Sequence, residues 1–115
     1  MRAGNLRRRA ALERRQVVRD GFGAENATWR EFARVWAGVE PIGGREYFQA
    51  QSVQADVTTR IRIRWRADVA GMEQPSTIRV GVEERDGGRR VYEVEAVIDV
   101  GGRGQELELM CRNSQ

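Results

Sequence analysis

Residues 56–66 read Asp-Val-Thr-Thr-Arg-Ile-Arg-Ile-Arg-Trp-Arg. In an extended chain successive side chains point to opposite faces, so Arg60, Arg62, Arg64 and Arg66 share one face. The four guanidiniums stand about 7 Å apart, twice the rise per residue of a strand. Their chemistry is charge-assisted, often bidentate hydrogen bonding to carboxylates or phosphates. Such a row either grips an acidic partner or is neutralised by acids on neighbouring strands. Val57, Thr59, Ile61, Ile63 and Trp65 take the other face, and their β-branched and aromatic character marks it as the buried one.

Acids with the same period occur near the C-terminus. Glu93 and Glu95 alternate with Tyr92, Val94, Ala96 and Ile98, and Glu106 and Glu108 alternate with Leu107, Leu109 and Cys111. If these strands lie beside the arginine row, cross-strand pairs contribute roughly 0.2–1 kcal/mol each, and the row becomes one side of a structural charge lattice. A row that faces nucleic acid or a lumen, or that forms a protein interface, stands as the alternative.

Catalytic residue types are scarce. There is no histidine, the commonest general base and metal ligand, and one cysteine without histidine excludes a Cys/His zinc site. Asp20-Gly21-Phe22-Gly23 lacks the Lys-Ser/Thr that completes a phosphate loop. Cys111 reads as a small buried residue of a last strand and has no partner for an internal disulfide. The expectation is no enzyme, no cofactor and no metal.

All 20 basic residues are arginine, and the net charge is +3. The charge is uneven: Arg2, Arg7, Arg8, Arg9, Arg14, Arg15 and Arg19 face only Glu13 within the first 19 residues. This basic stretch is suited to phosphate neutralisation or to an acidic protein surface. The aromatics (Phe22, Trp29, Phe32, Trp36, Tyr47, Phe48, Trp65, Tyr92) mostly occupy positions expected in the core, which argues against the stacking platform of a single-strand binder. No apolar run approaches the ~18 residues of a membrane span and no signal-peptide core is visible, so a soluble chain made in a cytoplasm, with no membrane contact, is expected.

The elements that must position these groups are short strands between glycine-rich turns. A flexible basic arm is expected over residues 1–7, a single β domain over 8–112 and a tail over 113–115. The patterns predict strands at Arg8–Val17, Trp29–Glu40, around the arginine row, at Ile78–Val82, at Val91–Val100 and around Leu107–Cys111. Asp86-Gly87-Gly88 and Gly101-Gly102-Arg103-Gly104 read as turns, Ala67–Ser76 as a loop and Arg45–Gln54 as a short helix. The fold class is mainly β: a small antiparallel β-barrel or sandwich with one short helix and a basic N-terminal arm.

Six short motifs follow one another along nearly the whole chain. They are Met1-Arg2-Ala3-Gly4-Asn5-Leu6-Arg7, Trp29 with Val35-Trp36-Ala37-Gly38-Val39-Glu40-Pro41, Gly44-Arg45-Glu46-Tyr47-Phe48-Gln49-Ala50, Thr59 to Arg66, Tyr92 to Ile98, and Leu107 to Arg112. In this order they resemble the phage head–tail joining family, also called head-closure or stopper proteins, of phages, prophages and gene-transfer agents. The 71–77 and 83–89 segments look longer than that family's compact turns.

The resemblance implies a structural virion neck component, assembled in the bacterial host cytoplasm. It implies a homo-oligomeric ring, six- or twelve-fold, with a portal or adaptor ring on the head side. A tail terminator or tail tube protein would lie on the tail side, and packaged double-stranded DNA in the channel. Candidate contacts with the adaptor or a neighbouring subunit are Arg2, Asn5, Arg7, Arg8 and Arg9. A second set is Gly44, Arg45, Glu46, Tyr47 and Phe48, where the glycines supply a hinge and the aromatics either anchor an interface or pack a helix on the barrel. A stand-alone nucleic-acid-binding β-barrel is the rival reading.

Overall fold

A computed structural model describes residues 6–42, 57–102 and 104–113. Among these, six strands form one antiparallel sheet: β1 (Arg8–Arg19), β2 (Glu25–Pro41), β3 (Thr59–Arg64), β4 (Ile78–Glu83), β5 (Arg89–Asp99) and β6 (Glu106–Asn113). The order around the sheet is β1-β2-β3-β6-β5-β4, and β4 returns to β1, so the sheet closes into a barrel. The closing seam runs from Ala10 opposite Val82 to Arg14 opposite Ile78.

Alternation fills the barrel. Ala10 and Leu12 of β1, Ile61 and Ile63 of β3, Val80 and Val82 of β4, and Leu107, Leu109 and Cys111 of β6 meet in one buried cluster. Each fully buried Leu, Ile or Val contributes about 1.5–3 kcal/mol relative to exposure. The inward rows expected for β4 and β6 are present in this core, as are Ile61 and Ile63 of β3; Thr59 is buried beside them, Val57 is buried elsewhere, and Trp65 departs. That residue lies beyond the last pair of β3, is 39% exposed, and donates its backbone N–H to the Gln105 carbonyl at 3.1 Å.

Two register shifts reset the faces. In the β1–β2 pair Leu12 stands opposite Ala33 and Glu13 opposite Glu31, which leaves Phe32 as an extra residue. In the β5–β6 pair Val94 meets Cys111 and Ala96 meets Met110, which leaves Glu95 as the extra one. The uninterrupted row Tyr92, Val94, Ala96, Ile98 is therefore corrected. Tyr92 and Val94 face the core, Val97 packs against it, and Ala96 and Ile98 join Ile42, Val57 and Met110 in a second cluster.

The segment expected as loop, 67–76, also differs. It holds a short helix, α1 (Ala67–Ala70), and its Pro75 starts a single 3-10 turn, Pro75–Thr77. Val69 of α1 is wholly buried and packs into the core, which is what orders the segment. The helix expected over 45–54 lies outside the described residues.

β1 and β2 outrun their neighbours. They pair from Arg8 opposite Ala37 to Arg19 opposite Glu25, whereas β4 reaches only Arg14 and β3 only Gly38. A two-stranded ribbon therefore projects from one end, and the molecule measures 48 × 33 × 28 Å. At its tip the Asp20 carboxylate accepts the N–H groups of Phe22 at 2.8 Å and Ala24 at 2.9 Å. Gly23 supplies the positive φ of 83° that the reversal requires.

Candidate functional site

The arginine row sits on β3 between β2 and β6. Arg60 lies opposite Glu40 on one side, and on the other Arg62 lies opposite Glu108 and Arg64 opposite Glu106. The Glu40 carboxylate takes Arg60 Nη1 at 3.0 Å and Arg62 Nε at 3.5 Å. Glu108 stands 3.5 Å from Arg60, and Glu106 stands 3.7 Å from Arg62. Arg66, beyond the strand, pairs with Asp68 of α1 through two hydrogen bonds of 3.0 Å. That Arg66 contact, partly offset by desolvation, holds the Asp68 carboxyl below its ordinary value.

Arg64 is the exception. Its register partner Glu106 leans toward Arg62, and among the described residues Arg64 enters no ion pair. It lines an open pocket at the end of β3 with Trp65, Gly104 and Gln105.

Glu93 and Glu95 do not meet the row, because β6 stands between β5 and β3. Both carboxylates instead engage Arg112, each at 3.1 Å. Glu40 takes the place expected for them. Its sequence signal was its position at the end of β2, directly before Pro41.

A second network went unsignalled. Glu13, nearly buried, accepts Arg79 Nε at 2.6 Å and Arg89 Nη1 at 3.1 Å, which ties β1, β4 and β5 together at the closing seam. Burial by itself raises the Glu13 carboxyl, but the hydrogen bonds from Arg89 and Arg79 outweigh it and hold it below its ordinary value. Arg89 reaches Glu13 by lying across Gly81, where an added Cβ would stand 2.7 Å from Nη1. Bulge placement and strand order, neither of which has a local signal, create this site.

Of the basic arm, Arg2 and Asn5 lie outside the described residues, as do Gly44, Arg45, Glu46, Tyr47 and Phe48. Leu6 is buried and Arg7 exposed. Arg8 and Arg9 belong to the barrel wall: Arg8 donates to the Glu83 carbonyl at 3.1 Å and pairs with Glu84, while Arg9 lies over Trp36, 4.9 Å from its ring.

The aromatics depart from the expected core placement. Tyr92 is buried and Phe32 packs against the core, but Phe22, Trp36 and Trp65 are exposed. Arg14 covers Phe32 at 4.6 Å and Arg79 covers Trp29 at 4.7 Å, so these rings are faced by cations rather than aligned as an open platform. Among the described residues no three His, Cys, Asp or Glu side chains gather as metal ligands, and no helix is long and apolar enough to cross a membrane. The arrangement joins strands and presents charged rims; its chemistry is that of contacts.

The chain is similar in structure to protein SF1141 from Shigella flexneri 2a, solved in solution, with a TM-score of 0.75, 28% identity, and coverage of 99% of this chain and 97% of that one. A chain in the virion of a native gene transfer agent particle shares the fold at a TM-score of 0.59 and 24% identity, over 94% of each. No curated protein matches the sequence. The family model described as phage head completion protein matches residues 1–114. With a match of that extent, this chain belongs to the phage head completion protein family, a family of structural virion proteins and not of enzymes.

Proposed function

We propose that the chain forms a closed six- or twelve-fold ring beneath the portal and adaptor, seals the DNA-filled head, and presents the docking platform for the tail. The observation that carries this reading is the family match over residues 1–114. The gene transfer agent virion chain adds a particle in which a similar fold serves. A ring subunit needs two complementary lateral surfaces, because a head-to-tail contact closes when its rotation closes. In this reading Arg2, Asn5 and Arg7 extend from the wall toward the adaptor or a neighbour, with Arg8 and Arg9 at its base. Gly44 to Phe48 form the second docking element. The net charge of +3 per subunit, multiplied around a ring, gives a lumen compatible with DNA.

The test is a particle preparation with and without the chain, joined to a reconstruction of the neck. Heads that package DNA, fail to retain it and lack tails are the expected outcome of its loss. Particles that retain DNA and carry tails without the chain overturn the reading. Deleting residues 1–5 leaves Leu6 and β1 in place and tests the arm separately; normal joining by that variant removes the arm from the mechanism. The rival nucleic-acid-binding barrel predicts salt-sensitive binding of the isolated monomer to DNA at about micromolar concentration, whereas the ring reading predicts assembly only on the portal and adaptor.

A further inference from the structure

The ribbon tip carries surface that its own chain does not satisfy. Phe22 is 99% exposed, with Val17 and Val18 at 55% and 51% on the shaft behind it. Among the described residues, 25–37 of β2 pair with β1 alone, which leaves one backbone edge without a strand partner there. Arg14 stands directly opposite Arg30, a like-charge pair that weakens an isolated ribbon already marginal in water. Among the described residues neither Arg15 nor Arg30 enters an ion pair.

The same end of the barrel holds the complement. The antiparallel registers place the start of β4, the end of β3 and the β5–β6 turn beside the ribbon's base. There the pocket of Arg64, Trp65, Gly104 and Gln105 opens, with a volume of about 480 Å³. It offers a half-exposed indole and a guanidinium that enters no ion pair among the described residues. On the same rim Asp99 and Glu73 are exposed and, among the described residues, enter no ion pair.

We infer that the ribbon tip of one subunit seats in the Arg64–Trp65–Gly104–Gln105 pocket of a second copy of this chain. Phe22 packs against the indole, and the Asp20 carboxylate beside it meets Arg64. Arg15 and Arg30 lie on opposite faces of the shaft, and Arg15 faces the neighbour's rim with its Asp99 and Glu73. The occupant is a second copy because knob and pocket belong to one chain, at one end, with matched charge and apolar character. Rotation about a ring axis preserves height along that axis, so the contact closes a ring when the ribbon lies across the axis and its tip reaches sideways to the neighbour's pocket. This contact rests on the ring reading and names the surfaces that close it.

The test is a Phe22→Cys/Gln105→Cys variant in assembled particles, oxidised and run on a denaturing gel. A ladder at multiples of the subunit mass is expected, and either single variant should give none. Monomer alone from particles that incorporate the double variant overturns the contact. Phe22→Ser gives an independent reading, since that side chain touches nothing in its own chain. At least tenfold less incorporation of a folded protein is expected, while incorporation at the parent's level overturns the contact. Arg64→Glu should lower incorporation as Phe22→Ser does, and incorporation at the parent's level counts against the pairing. Normal rings with Phe22→Ser sink the contact and leave the ring standing; a parent chain present as single copies on the head sinks the ring itself.

Discussion

Arg79 donates from Nε to Oε1 of Glu13 at 2.6 Å, across the seam where β4 returns to β1 and the barrel closes. Arg89 reaches the same carboxylate from β5, so one nearly buried acid binds three strands. The register itself sets Glu13 opposite Arg79, whereas Arg89 has to cross β4 to arrive.

Replacing Glu13 by alanine should leave two guanidiniums facing each other without their acid. Both arginines retain access to water, so the expected loss is about 2 kcal/mol rather than the larger cost of a deeply buried break. Urea unfolding measures it; a midpoint equal to the parent's would mean that backbone pairing alone holds the seam.

The same carboxylate predicts how stability varies with pH. Its folded value lies below the ordinary 4.5, held there by Arg89 and Arg79 against the opposing effect of burial. Its contribution is therefore fully present above the unfolded value and is lost as pH falls through the lower folded value. Asp68, lowered from 3.8 chiefly by Arg66, acts in the same direction. Urea midpoints taken from pH 6 downward should fall on acidification in the parent and fall less in Glu13→Gln. Parallel curves for the two proteins would remove Glu13 as the cause.

Gly81 is predicted to tolerate no side chain without disturbing Arg89. Gly81→Ala puts a Cβ at 2.7 Å from Nη1 and 3.1 Å from Cζ, which displaces the guanidinium from Glu13. A loss of about 1 kcal/mol is expected, comparable to one charged hydrogen bond. In an Arg89→Ala background the same substitution should cost little, and the double-mutant cycle reads the coupling directly. Equal costs in the two backgrounds would point to strain in β4 instead.

Cys111 is wholly buried in β6, and its burial drives the thiol's pKa far above that of a free cysteine. Thiolate is the reactive form, so native protein should resist alkylation by iodoacetamide at pH 8 and react fully in urea. Mass spectrometry separates the two; rapid labelling of folded protein would contradict the core placement.

The barrel was legible because alternation is a local property. Ile61 and Ile63, Val80 and Val82, or Leu107 and Leu109 announce a strand and its buried face from neighbours two residues apart, and glycine and Asp mark the turns between. The same reasoning missed Val69, since four helical residues leave too short a period to detect, and it misplaced Ala96 and Ile98, since an extra residue at Glu95 flips every later side chain. The pairing of Arg60 and Arg62 with Glu40, and of Arg112 with Glu93 and Glu95, depends on the strand order β2-β3-β6-β5. Local alternation is enough to put Arg60, Arg62 and Arg64 on one face of a half-buried strand in a small β protein. Which acids they meet, and that Arg64 meets none among the described residues, follows from the fold alone, because strand neighbours and register are set by contacts between residues far apart in the chain.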